Sequence, residues 1–345
     1  MLPSSLLLLA LAAPDDAPAP PPISAKEPLA TEFSLAAAAR ALDTAAVHWQ
    51  ETRKCGTCHT NFAHLMARPA VAAVSPPPRE VRAFFEAMVS ERWEKLGPRW
   101  DAEVVVAATT LAMNDRATTG KLHPLTRKAL DRALKLQRPN GSWDWLKCGW
   151  PPMESDDHFG ATFAALGIAL APEGYSKTEA ARASLDGIRR YLKANPPPSL
   201  HHRAMALWAS VHVEEIMAAD ERTRTLDDLF RLQLPEGGWA VAALLDGWKE
   251  HRRQDEEPQD LKAPDGYATG FVIFVAREAG VAASDPRIQR GIAWLKRNQR
   301  ESGRWFTRSP TKNSHHFLSN YGTAFAVMAL SACGEAAAAA KRAEL

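Results

Sequence analysis

Three stretches of this chain are apolar on nearly every position: Phe159–Ala171 (FGATFAALGIALA), Tyr267–Ala279 (YATGFVIFVAREA) and Tyr321–Ala332 (YGTAFAVMALSA). A helix that is hydrophobic all round is a buried one, so each predicts a helix inside the molecule. Other segments are apolar only at helical spacing. Leu35–Lys54, Arg79–Leu96, Ala102–Ala117 and the stretch around Ile292-Ala293-Trp294-Leu295 read as helices with one covered face. No strand alternation stands out. Between an amphipathic helix and the apolar helix after it lies a short polar turn with a fixed signature. It reads Gln137-Arg-Pro-Asn-Gly141-Ser-Trp143, Gln233-Leu-Pro-Glu-Gly237-Gly-Trp239 and Gln299-Arg-Glu-Ser-Gly303-Arg-Trp305, that is, Q-x-x-x-G-x-W three times. The copies begin 96 and 66 residues apart (Gln137 to Gln233 to Gln299), and Gly187 to Pro198 is a candidate for a degenerate copy in the longer interval. Such periodicity predicts a repeat of helix hairpins. The apolar members lie inside, and small residues at their starts let neighbours approach closely. The fold class predicted is all-α, an α/α ring or solenoid over residues 79–345, with a short helical segment in front of it. The charged run Glu250–Asp260 reads as a solvated loop, and the Ala-rich tail from Gly334 as a last helix turn or two.

The repeats explain why the chain holds 11 Trp against 4 Tyr. Arg290-Gly291-x-x-Trp294-Leu295-x-x-x-Gln299-x-x-x-Gly303-x-Trp305 resembles a full copy of the QW motif of squalene–hopene and oxidosqualene cyclases. The other two copies match in Gln, Gly and Trp. The resemblance covers roughly residues 100–335. It implies the α/α toroid shared by terpenoid cyclases and protein prenyltransferases, with Gln and Trp as structural ties between outer helices.

The resemblance also implies candidate chemistry. Squalene–hopene cyclases carry D-x-D-D at the start of an inner helix, and here Glu154-Ser155-Asp156-Asp157 stands in a comparable place. Asp156 would be the acid that protonates an alkene, with Glu154 in place of the first Asp and Asp157 after it. A carboxyl in an apolar pocket stays protonated. Aromatic faces of Trp143, Trp145, Trp150, Phe159, Tyr267 and Tyr321 would steady a carbocation. The plainer reading aligns the inner helices on Phe159, Tyr267 and Tyr321 and makes Asp157 an N-cap, matched by Asp265 and Ser319. In the prenyltransferase branch a zinc ion would want Asp265 with a cysteine after it. Gly266 and Tyr267 stand there instead, and His315 and His316 read as a polar loop.

The most specific motif lies outside the repeats. Cys55-Gly56-Thr57-Cys58-His59 is C-x-x-C-H, the spacing of c-type haem attachment. Two thiols add across the porphyrin's vinyl groups and the adjacent imidazole sits beneath the iron. A thioredoxin-like redox pair and half of a zinc site share the C-x-x-C core. The first wants a preceding strand and the second a further ligand pair. The cofactor predicted is one covalent haem c on Cys55, Cys58 and His59, with the iron on His59. For the opposite axial position His64, Met66, Met88, Met113, His123, His158, His202, His315 and His316 are the candidates, and a five-coordinate iron is the alternative. Cys148 and Cys333 are either free thiols or a disulfide.

Ahead of this motif, Leu6–Ala13 is a short apolar run ending in the small-x-small pattern Ala10-Leu11-Ala12, as in a secretory signal over residues 1–13. A disordered Pro-rich leader is expected over 14–33, and residues 34–78 form the haem-binding segment. The apolar run is too short to span a bilayer and no other segment qualifies. The predicted location is therefore periplasmic or cell envelope. Net charge is only +2, with no basic cluster, which excludes a nucleic-acid footprint. Three functions remain at this level. One is an exported haem protein serving a redox partner. Another is an isoprenoid cyclase acting on an apolar ligand, with Asp156 as proton donor. The third is a non-catalytic binding scaffold.

Overall fold

The structure is a computed structural model that describes residues 19–343. The predicted signal segment lies outside that range. The described chain is all-α, with two isolated β-bridges in place of any sheet. In chain order the helices are α1 (Leu35–Arg53), α2 (Asn61–Ala67), α3 (Arg79–Ala87), α4 (Trp93–Leu96), α5 (Asp101–Thr118), α6 (Pro124–Lys135), α7 (Asp157–Leu170) and α8 (Glu179–Ala194). Then come α9 (Leu200–His212), α10 (Ala219–Arg231), α11 (Val241–Leu244), α12 (Gly266–Glu278), α13 (Pro286–Arg297), α14 (Leu318–Ala332) and α15 (Glu335–Ala343). A π-turn over Met88–Arg92 joins α3 to α4.

Helices α7, α12 and α14 are buried along most of their length, as the unbroken apolar runs predict, and so are α5, read from sequence as a helix with one covered face, and α9, whose sequence shows no such run. So is the short α2. They pack in a circle: α2 on α5, α5 on α7, α7 on α9, α9 on α12, α12 on α14, and α14 back on α2. Outside them run α1, α3, α6, α8, α10 and α13, each with one covered face. Six hairpins thus close a ring. Small residues set its tightness. A Cβ on Gly270 would lie 2.5 Å from the Ala326 nitrogen, and one on Gly322 would lie 2.8 Å from the Tyr267 nitrogen.

The three Q-x-x-x-G-x-W turns do one job. Trp143, Trp239 and Trp305 are fully buried, and each donates its indole N–H to a carbonyl ten residues back: Ala133 at 2.8 Å, Leu229 at 2.6 Å and Leu295 at 2.7 Å. Each Gln amide spans its own turn, then reaches the next outer helix. Gln137 donates to Ser184 O on α8 (3.0 Å) and Gln233 to Arg287 O on α13 (2.7 Å). Gln299 donates to Ser34 O (2.9 Å) and accepts from Ser34 N (2.7 Å) at the start of α1. Gly303, at φ +88°, sits where a Cβ would be 2.3 Å from Ala37 O.

The last tie corrects the predicted layout. The segment 34–78 does not stand before the ring; α1 and α2 are its closing hairpin, wedged between the first and last repeats. The leader differs from expectation too. Its described part is held along the last turn by Ala30 N to Gln299 O (2.8 Å), Arg300 to Glu27 O (2.6 Å) and Arg304 to Pro21 O (2.6 Å). Proline-rich backbone offers carbonyls without matching donors, and two arginines of the third repeat supply them.

Candidate functional site

The Cys-x-x-Cys-His loop is shaped by the helices on either side. At the end of α1, Lys54 takes a left-handed conformation (φ 50°) and its N–H bonds Gln50 O, which turns the chain off the helix axis. Asn61, at the start of α2, then clamps the loop. Its Oδ1 accepts from Thr57 N (2.8 Å) and its Nδ2 donates to Cys55 O (3.1 Å). Gly56 passes so close to the rings of Phe62 and Phe85 that a Cβ would lie 2.6 Å from Phe62. Both thiols are half-buried and unbridged, and Cys148 and Cys333 are free as well.

His59 is held on three sides. Phe317 stacks on its ring (centroids 4.9 Å apart, planes 10° apart), and Trp49 meets it edge-on at 5.0 Å. Its Nδ1 lies 2.7 Å from Thr60 Oγ1, which also accepts from Asn320 Nδ2 (3.2 Å). With Nδ1 engaged, Nε2 is the nitrogen left to act as a ligand. Burial pushes the imidazole down to about 3, so it is neutral with a lone pair to offer.

The ring opens beside this histidine into a cleft of about 380 Å³. Trp150, Pro151, Met153, Pro310, Phe317 and Leu318 make its walls apolar. Arg53 and Lys312 add two cations, and Glu154 adds one carboxyl. Burial raises Glu154 above the usual carboxylate range. Burial, with Glu154 beside it, pushes the Cys58 thiol well above its ordinary value. These residues fit a c-type haem: an imidazole oriented through its other nitrogen, flat apolar walls, cations for two propionates, and two free thiols in the loop just before His59, with Cys58 against the cleft's Glu154.

The acidic run separates. Only Glu154 reaches the cleft. Asp157 is a half-buried residue paired with Lys147 and with Arg138 at 3.4 Å. It is not the cap; Asp156 is, through Oδ1 accepting from Phe159 N at 2.9 Å. The aromatic register that aligned Phe159 with Tyr267 is thus one residue out for the caps, and Asp156 matches Asp265, which caps α12 from Ala268 N at 2.9 Å. Asp156 Oδ2 also lies 2.9 Å from His202 Nε2, within a buried cluster of His158, His201, His202 and Trp248. Burial opposes ionisation of Asp156, but His202 and the Phe159 amide outweigh it and hold the carboxyl below its ordinary value. An ionised cap is the opposite of the proton donor that the cyclase resemblance implies. Of the six aromatics named for a cation cavity, only Trp150 lines the cleft. Tyr267 and Tyr321 are buried and pack with Phe271 and Phe325, with centroids 5.0–5.8 Å apart along the chain of contacts.

Most axial-ligand candidates are committed elsewhere. His64 bonds Asp43 (2.8 Å), which also holds the buried Arg68 (2.7 Å). Met66, Met88 and Met113 are core residues. His123 caps α6, His316 accepts from Ser309 N (3.0 Å), and His158 and His202 belong to the buried cluster. Of those named from sequence only His315 lines the cleft. Met153 lines it too and was not among them; it follows two prolines with no periodicity to mark its direction. Among the described residues no three His, Cys, Asp or Glu side chains form a metal site by themselves, so neither zinc reading gains a ligand set.

Among the described residues no single helix is long and apolar enough to cross a membrane. No protein-family model matches this chain, and no curated protein matches it. Among solved structures a polysaccharide lyase aligns over 81% of this chain and 74% of its own, at 12% identity and a TM-score of 0.32. A likeness that weak carries no argument about fold or activity, and the helical ring stands on its own contacts.

Proposed function

We propose that the chain is an exported redox protein carrying one covalent haem c, with the helical ring serving as the cofactor's housing. The reading rests on one observation: a neutral, oriented His59 lines an apolar cleft that the ring itself completes, and the two unbridged thiols of its C-x-x-C-H loop stand just before it, Cys58 lying against the cleft's Glu154. Each thiol adds across one vinyl group, sulfur to one carbon and hydrogen to the other, so attachment needs no oxidant and releases no leaving group. A bound haem supplies one-electron chemistry. The residues do the rest. Thr60 and Asn320 fix the imidazole's direction, and Trp49 and Phe317 stop it turning. Trp150, Pro151 and Phe317 keep water from the macrocycle. Arg53 and Lys312 offer partners to its carboxylates, and the open mouth leaves an edge for a redox partner protein.

The test is a pigment test. Expressed with its own N-terminus in a host that exports and matures c-type haem, the protein is expected to keep its colour through acid acetone and a denaturing gel. Cys55→Ser with Cys58→Ser is expected to abolish the retained pigment. A colourless product from the intact sequence, in a host that loads a control cytochrome, overturns the proposal.

A further inference from the structure

Within the haem reading just given, on which this inference rests, the geometry points to Met153 as the second axial ligand of the iron. His59 lines the cleft with its Nδ1 engaged by Thr60 and its Nε2 uncommitted, so the opposite ligand must reach the same space. Among the described His and Met residues other than His59, only Met153 and His315 line it.

The two differ in how they are held. His315 is exposed, sits in a left-handed conformation (φ 51°), and turns its Nδ1 to Ser314 Oγ at 3.1 Å. Met153 is 5% exposed. Its carbonyl accepts from Trp145 Nε1 at 2.6 Å. The short loop around it is tied shut by Glu154 N to Trp150 O (3.0 Å) and Cys148 N to Glu154 O (3.0 Å). Its neighbour Glu154 lies against the Cys58 thiol, so this segment is already docked on the attachment site.

A thioether needs no proton removed before it binds iron, and its affinity for a buried apolar site suits this wall. Ordering an exposed histidine would cost side-chain entropy that the preplaced methionine has already lost. A Met opposite a His raises the haem potential relative to two imidazoles.

The experiment uses the purified full-length protein with its covalent haem. The oxidised wild type is expected to be low-spin and to show the near-infrared band of sulfur-to-iron charge transfer. Met153→Leu, which keeps the volume and removes the sulfur, should lose that band, become high-spin and bind added imidazole, with covalent haem content unchanged. Met153→His should restore the low-spin state without the band and lower the midpoint potential. His315→Ala should leave spectrum and potential as in the wild type. A low-spin spectrum unaltered in Met153→Leu overturns the assignment, as does a wild type that is already high-spin, or one that changes only in His315→Ala. Absence of covalent haem in every variant and the wild type overturns the haem reading itself, a result separable from the others.

Discussion

Asn61 carries the geometry of the attachment loop on one side chain. It satisfies a donor at Thr57 and an acceptor at Cys55 while fully buried. Asn61→Ala leaves both backbone groups without a partner and should cost roughly 2–4 kcal/mol, at ~1–3 for an unmet buried group less any relief by water. Thermal unfolding reads that loss; under the haem proposal, the fraction of chains with covalent pigment should fall with it. Nothing in sequence marks Asn61, because its partners depend on the turn at Lys54 rather than on any spacing. The two cysteines and His59, by contrast, were legible at once, since their chemistry fixes their separation.

Asp265 gives a pH prediction at the same scale. Burial lifts its carboxyl to about 6, against the bonds from Ala268, Val241 and Thr307 that favour the charge. Between about pH 4 and 6 the folded state therefore holds a proton that the unfolded chain releases, and stability falls as pH rises through that window. Two units correspond to roughly 3 kcal/mol. Urea unfolding at a series of pH values should show that slope in the wild type and a flatter profile in Asp265→Asn; equal slopes would refute the assignment. Asp43 runs the other way. Burial works against its charge, yet His64 and Arg68 hold it below the ordinary range. Its contribution is present at neutral pH and is lost as pH falls through the depressed value.

At the scale of elements, the Gln–Gly–Trp turns are ties of unequal weight. Gln137 donates one bond to the next outer helix and Gln233 donates one and accepts another from Arg290, whereas Gln299 exchanges two with the Ser34 backbone and is itself 1% exposed. Gln299→Ala should thus cost roughly 3 kcal/mol and Gln137→Ala about half of that, on the scale of ~1 kcal/mol per bond plus the penalty for stranded buried groups. Equal shifts in the unfolding midpoint of the two variants would contradict the ranking. The repeats were readable because each is local: helix period, turn and apolar run lie within the 47 to 60 residues of Pro124–Leu170, Ala219–Glu278 and Pro286–Ala332. The partner of Gln299 was not, because Ser34 lies 265 residues away and no short pattern announces such a contact. The same limit displaced the cap. Aromatic residues and capping residues follow different registers at α7 and α12, and matching one set misaligned the other.

For the whole molecule, closure decides what can be removed. Helix α2 is buried on both sides, against α5 and α14, and α1 covers it from outside. A chain starting at Arg79 would bare two apolar helix faces that have no other cover. It is expected to lose the cooperative thermal transition and to bind a hydrophobic dye, where a detachable haem segment would leave a folded ring. Circular dichroism and dye fluorescence on that truncation distinguish the two.

The tie between Gln299 and Ser34 also orders events in time. The hairpin bearing the cysteines is made before the surface that seals it, which belongs to α14 and to the turn after α13. Until those arrive, the early hairpin can lean only on α3 and α5, and its remaining long-range partners do not yet exist. For a protein loaded with haem as we propose, that interval is when the thiols are most open to an attaching enzyme. Sealing afterwards would trap the pigment behind the last repeat, so that release of the apoprotein from a ribosome or translocon before α13 emerges should yield chains that accept haem but never shut over it.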